Sequence, residues 1–335
     1  MFNPYARWMN RWELQLAGRD KNRVERPFEW GLDWLDLDGA ADPARALADA
    51  ASGWLADSPS FYSYRIPADW ELKDGRLTFT SPLPSRYPEN DVVHAQWFPA
   101  GGDRAVVVLP QWNSDSEGHV GLCKLLNRFG ISALRMSMAY HDHRMPAELS
   151  RADYHVSSNI GRTIHACRQS VLDARACFDW LESRGYSRLG ILGTSLGSCV
   201  AFIALAHDPR IRIGVFNHAS TFFGDVVWTG LSTQHVRKGL ETVLTQDQVR
   251  DCWRVISPAS YMDMLIGRKV PTLIVWGCYD TSFLPCFSRE IIRGFRERKL
   301  DLRSIKLPCG HYTLGQPPFN YIDGLTMCRF IQKNL

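Results

Sequence analysis

From about residue 76 onward, short apolar runs bounded by turn residues alternate with longer amphipathic stretches. Such a pattern predicts strands alternating with helices. Arg76–Ser81 and Val92–Pro99 read as two strands near a Pro-rich turn, an antiparallel edge. Arg104–Leu109 is nearly all apolar, the mark of a strand covered on both faces. A helix over about 117–129, a strand Ile131–Arg135, a helix Val171–Arg184, a strand Arg188–Leu192, a helix Leu196–His207 and a strand Ile211–Phe216 follow. The rhythm resumes with a strand Pro271–Trp276 and a helix Leu284–Lys299, whose Phe287, Ile291 and Phe295 sit four apart on one face. A strand Leu302–Leu307 and a helix Tyr321–Leu335 end it. The expected fold class is α/β: a mostly parallel central sheet, wound with right-handed crossovers and flanked by helices.

Two segments break the alternation. One, from Met138 to about Arg168, is polar and holds His141, His143, His155 and His165. The other, 221–269, falls between two sheet strands and contains helix-like stretches at Val236–Leu244 and around Gln248–Val255. Insertions at the carboxyl ends of strands sit over the site in such sheets, so 221–269 is expected to form a cap on a core made of 71–220 and 270–335. Residues 1–70 stand apart as an N-terminal extension. Within it Phe2, Tyr5, Trp8, Met9, Trp12 and Leu16 recur at helical spacing. Their apolar face is expected to pack on the body or on a second copy of the chain, a homo-oligomer. Glu13, Asp20 and Glu25 dilute the positive charge that a membrane-surface helix uses.

Composition narrows the function classes. A net charge of +4 over 335 residues, with basic and acidic residues interleaved, lacks the concentrated footprint that nucleic-acid binding needs. No run approaches the roughly 18 apolar residues of a membrane span, and the first residues lack a secretory h-region. The nine cysteines are scattered, without a C-x-x-C pair, and Cys177, Cys199 and Cys328 lie in or beside apolar runs where a thiol packs as a small hydrophobe. A reduced, cytoplasmic protein is the simplest expectation. Neither G-x-G-x-x-G nor G-x-x-x-x-G-K-[ST] occurs, so no cofactor is expected.

The chemistry is carried by Gly193-Thr194-Ser195-Leu196-Gly197. It lies between a buried-strand pattern, Leu189–Leu192, and a buried-helix pattern, Cys199–Ala206. A strand, tight turn and helix make a nucleophile elbow, which exposes the serine hydroxyl above the sheet. Such a hydroxyl needs a base, and the base needs an acid to orient it. Asp280 lies just past the strand Pro271–Trp276 and His311 just past Leu302–Leu307. Both thus project from the same sheet edge as Ser195, in the chain order Ser, acid, His. His218 also ends a strand, but no acid at a strand end lies between it and Ser195. His141-Asp142-His143 invites a metal reading, yet sequence neighbours rarely face one ion and no partner motif appears; no metal is expected. Arg289, Arg293 and Arg296 form a stripe of the kind that faces solvent.

With elbow, acid loop and histidine loop in order, the chain from Arg76 to Leu335 resembles the α/β-hydrolase superfamily of serine hydrolases. Asp280 follows Ser195 by 85 residues and His311 follows by a further 31, spacings similar to those of capped bacterial esterases. Ala139–Pro146, after the fourth strand, is similar to a poorly characterised subgroup of abhydrolase-domain proteins. The resemblance implies an oxyanion hole built from the N–H of Leu196, the residue after the nucleophile, and of a residue after the third strand. Family members usually carry His-Gly there. Here the strand runs into Pro110-Gln111-Trp112-Asn113, and by position Trp112 supplies the N–H. The expected activity is that of a serine esterase acting on a small-molecule carboxylic ester. An amide hydrolase or acyltransferase with the same triad, and a non-catalytic binding protein of this fold, are the alternatives. Phe222, Phe223 and Trp228 in the cap lean toward an apolar acyl or aryl group.

Overall fold

A computed structural model describes residues 4–335. The body is a nine-stranded sheet: β1 (Glu71–Lys73), β2 (Arg76–Thr80), β3 (Val92–Phe98), β4 (Arg104–Leu109), β5 (Ser132–Met136), β6 (Arg188–Thr194), β7 (Ile211–Asn217), β8 (Thr272–Gly277) and β9 (Leu302–Leu307). Their spatial order is β1-β2-β3-β5-β4-β6-β7-β8-β9. Pairs from β1 to β3, and β3 with β5, are antiparallel; every pair from β5 to β9 is parallel. The order reverses at β4, which has β5 on one side and β6 on the other. Loops leaving β4 and β6 therefore diverge and open a crevice above the strand ends.

The helices are α1 (Pro4–Ala17), α2 (Pro43–Ala56), α3 (Ser58–Phe61), α4 (Val120–Arg128), α5 (Ile160–Ser183), α6 (Leu196–His207), α7 (Phe223–Thr229), α8 (Gln234–Leu240), α9 (Gln246–Cys252), α10 (Pro285–Glu297) and α11 (Phe319–Asn334). Strand β4 shows why its sequence is continuously apolar. Ala105, Val107 and Leu109 enter the core on one sheet face, with α5 and α6, while Val106 and Val108 enter the other, with α4 and α11. Each fully buried Val or Leu among them contributes about 1.5–3 kcal/mol. Segment 221–269 enters between β7 and β8 as α7 to α9 and short 3-10 turns.

Two helices differ from the sequence expectation. The expected helix Val171–Arg184 begins eleven residues earlier, at Ile160, capped by Asn159, whose side chain accepts from the Arg162 N–H at 2.8 Å. Its first turns look polar, but Ile160, Ile164, Cys167 and Val171 form a buried stripe. Buried Gln169 and Asp173 find partners in Asn90 and Ser81 (2.8 and 2.6 Å). In α1 the buried stripe is Met9, Glu13, Leu16 and Ala17, whereas Trp8 is 51% exposed. The inward face is therefore rotated from the aromatic one expected, and a carboxylate lies in it. Phe2 falls outside the described residues.

Candidate active site

Between β6 and α6 the chain turns sharply at a single residue. Ser195 has φ 56° and ψ −119°, a conformation costly to any residue with a Cβ and characteristic of strained functional turns. The two glycines are required by contact. A Cβ on Gly193 would lie 2.1 Å from the Gly197 carbonyl oxygen, and one on Gly197 would lie 2.2 Å from that of Leu109. Neighbouring backbone holds the turn: the Ser195 N–H donates to the Asn217 carbonyl at 2.8 Å. The Ser198 hydroxyl lies 2.7 and 2.8 Å from the carbonyls of Ser195 and His218.

The structure brings Ser195, His311 and Asp280 together. Ser195 Oγ is 3.2 Å from His311 Nε2, and His311 Nδ1 is 3.2 Å from Asp280 Oδ2. Asp280 Oδ1 accepts the backbone N–H groups of Ser282 (2.8 Å) and Phe283 (2.7 Å). These donors fix the carboxylate and leave Oδ2 for the imidazoles. A second one is present: His218 Nδ1 lies 2.6 Å from the same Oδ2, its ring 4.4 Å from that of His311. Phe283 stacks on the His311 ring at 5.5 Å.

Electrostatics follow this geometry. Burial works to raise the Asp280 carboxyl, but His311, then His218, and their hydrogen bonds outweigh it and hold the group well below the usual carboxylate range. Burial alone would lower His311; Asp280 beside it more than offsets that, so its pKa ends above the ordinary value. His218 is lowered, because burial outweighs its share of Asp280. Among the described residues, His218, Asp280 and His311 are the one group of ligand-type atoms gathered within 4.8 Å. Their 2.6–3.2 Å spacings are ion-pair distances, and the one between His311 Nδ1 and Asp280 Oδ2 also meets hydrogen-bond geometry.

The other singled-out histidines sit elsewhere. His141 and His155 both point Nδ1 at the Ala139 carbonyl (2.8 and 2.9 Å), and His165 Nε2 is 3.1 Å from the Pro84 carbonyl. His143 contacts Arg76 at 2.8 Å on the surface. The Ala139–Pro146 stretch is an anchor: buried Arg144 pairs with buried Asp173 at 2.8 Å and donates to the Ser137 and Asn90 carbonyls. Two interactions escaped sequence reasoning. His218 was visible as a strand-end histidine, but its hold on Asp280 needs three dimensions. Glu13 showed only as a charge interrupting a helical apolar face.

Ser195 and His311 open into a cleft of about 980 Å³, of the size that takes small-molecule ligands. Its apolar wall includes Val156, Phe223, Val226, Val227 and Phe283. Phe222 and Trp228 do not reach it; each lies under a guanidinium instead, Arg250 at 5.3 Å and Arg237 at 5.0 Å. The polar wall includes Asn217 and Asp323, joined by a 2.6 Å hydrogen bond from Asn217 Nδ2. Burial pushes the Asp323 carboxyl up to about 7. Trp112 lies in the wall between Arg151 (4.5 Å above its ring) and His235 (stacked at 5.7 Å), its indole N–H donating to the Ala152 carbonyl at 2.9 Å.

A mostly parallel sheet with a serine elbow after β6, flanked by helices and interrupted before β8, is the α/β-hydrolase fold. Solved structures share it. An acetyl xylan esterase from Paenibacillus sp. R4 superposes with a TM-score of 0.57 at 14% identity, covering 96% of this chain and 99% of its own. An esterase from Pyrococcus furiosus gives 0.52 at 16% identity, covering 82% and 93%. An acylaminoacyl peptidase from Pyrococcus horikoshii gives 0.58 at 12%, covering 79% of this chain; the match spans 42% of the peptidase's length. No family model and no curated protein sequence matches the chain. None of the helices described is long and apolar enough to cross a membrane.

Proposed function

We propose that the chain is a serine hydrolase that cleaves carboxylic esters through an acyl-enzyme on Ser195. The observation that carries this is the continuous contact from Ser195 Oγ through the His311 ring to Asp280, 3.2 Å at each step, on a serine strained into the elbow conformation. His311 Nε2 takes the hydroxyl proton as Oγ attacks the acyl carbon, and Asp280 steadies the imidazolium that forms. The tetrahedral oxyanion is held by the N–H groups of Leu196 and Trp112. Both residues line the cleft, and among the described residues neither backbone N–H has a hydrogen-bond partner outside regular helix and strand bonding; Leu196, as the first residue of α6, has no intrahelical partner either. His311 returns its proton to the departing alcohol, then activates a water that releases the acid and restores Ser195.

Segment 221–269 acts as the cap over a core of 71–220 and 270–335. It is Phe223, Val226 and Val227 from α7 that supply much of the apolar wall, which suits the acyl group. The cysteines are all unpaired, in keeping with a reducing, cytoplasmic setting. The test is a fluorophosphonate probe together with p-nitrophenyl esters of graded chain length, with the matching anilides in parallel. Wild type should label and hydrolyse esters, and Ser195→Ala should do neither while melting as a folded protein. Labelling that survives in S195A would refute the assignment, and faster anilide than ester turnover would make the chain an amidase.

A further inference from the structure

The N-terminal helix places a charge directly behind the histidine loop. Glu13 on α1 is wholly buried. Its Oε1 accepts the Thr313 N–H at 2.7 Å, and its Oε2 accepts the Tyr312 N–H at 3.1 Å. The same Oε2 accepts the Thr281 hydroxyl at 3.2 Å. Thr281 follows Asp280, and Tyr312 follows His311. One carboxylate thus bridges the two loops that hold acid and base. Gly310 fits this arrangement: a Cβ there would lie 2.2 Å from the Glu13 carboxyl carbon, so the residue before His311 must be glycine for the carboxylate to reach the loop.

The rest of the N-terminal segment grips the same loops. Met9 Sδ lies 3.2 Å from Thr313 Oγ1, which in turn accepts the Gly310 N–H at 2.7 Å. The Tyr5 hydroxyl donates to the Pro308 carbonyl, and its ring meets that of Tyr279 at 5.6 Å. Arg23 donates to the Tyr312 hydroxyl at 3.0 Å. A carboxylate buried this completely needs hydrogen-bond donors on both of its oxygens. Glu13 meets that demand with donors taken from the catalytic loops.

We propose that Glu13 is a positioning residue of the site, a buried carboxylate from the N-terminal helix that ties the His311 loop to the Asp280 loop and so sets the Ser195–His311 distance. This rests on the Ser195–His311–Asp280 triad proposed for the chain. A base displaced by about 1 Å costs on the order of 100-fold in rate, and a backbone N–H pair released from its acceptor is enough to permit such a shift. Glu13 also adds negative charge near His311. The other titratable or charged groups around that ring and its loop are Asp280 and His218, then Cys309, Tyr312 and, past the Tyr312 hydroxyl, Arg23, Asp20 and Arg151.

The experiment uses the full chain with Glu13→Gln, Glu13→Asp, Met9→Ala and Ser195→Ala. Second-order fluorophosphonate labelling, kcat/KM on p-nitrophenyl acetate against pH, and Tm are read for each. E13Q should label and turn over about 10–100-fold more slowly, with KM little changed and the midpoint of the rising pH limb displaced downward. E13D keeps the charge but draws it back by one methylene, so its rate should fall while the midpoint holds. M9A should lower Tm without moving the midpoint, which separates packing from positioning. Wild-type labelling rate and midpoint in whichever Glu13 variant accumulates folded would overturn the proposal. If S195A still labels, the triad itself fails instead, and the two failures are told apart.

Discussion

Replacing Asp280 with asparagine should be the most informative single change at the site, because the structure dictates how the new amide will sit. Oδ1 of Asp280 accepts two backbone N–H groups, and Oδ2 faces Nδ1 of His311 and of His218. An amide NH₂ placed toward Ser282 and Phe283 would set donors against donors. The oxygen must therefore stay there and the NH₂ must face the histidines. His311 Nδ1 then becomes an acceptor, its proton moves to Nε2, and the nitrogen facing Ser195 can no longer take the hydroxyl proton. A triad locked in the wrong tautomer loses about 10⁴ in kcat, or about 5 kcal/mol of transition-state stabilisation. The pH profile should move too. His311 sits above its ordinary value chiefly because of Asp280, which offsets burial; without the charge, burial prevails and the pKa falls. The wild-type rising limb of kcat/KM should thus have its midpoint above about 6.5, and that of D280N should lie lower. The assay is p-nitrophenyl acetate hydrolysis over pH 5–9, with probe labelling as a second readout. A loss smaller than tenfold, or an unmoved midpoint, would refute the reasoning.

Phe223→Ala should enlarge the apolar wall and shift the preferred p-nitrophenyl ester toward longer chains, with little loss on the acetate; equal loss on every ester would make Phe223 a support of the fold. Asp323→Asn tests the raised carboxyl. With a folded pKa of about 7 above the unfolded value of about 3.9, Asp323 destabilises the fold increasingly as pH rises between the two, so D323N should gain Tm over wild type at pH 8 and much less at pH 5. Equal shifts at both pH values would place the charge elsewhere.

Where burial follows the apolar pattern, the chain could be read directly. Strand Arg104–Leu109 and helix Leu196–His207 fall where their sequences predict, because each apolar run is bounded by residues that do not continue it. The elbow was legible for the same local reason: Gly193 and Gly197 stand where strand and helix converge. Polar residues satisfied inside the protein hid the rest. Buried Thr163 and His165 made the first turns of α5 look like loop, and the aromatic residues of α1 drew attention away from the face that carries Glu13. Trp228 misled in the opposite sense: an aromatic in the 221–269 segment that packs under Arg237 rather than into the cleft. Pairwise contacts between distant loops, such as His218 with Asp280, leave no trace in composition or spacing.

The contacts of α1 with residues 308–313 join positions about 300 residues apart in the chain. Closing a loop of that length costs about 5 kcal/mol of chain entropy beyond a constant, and contacts of such high order form late. During synthesis, which proceeds from the N-terminus, the first helix emerges long before the segment it must grip. Its Met9–Leu16 stripe has no final docking place until β9 and the loop beyond it have been made. On the triad proposed above, with His311 as the base on that late loop, a chain not yet extended past residue 313 should be hydrolytically silent, and α1 should find its Glu13 contacts only after that point.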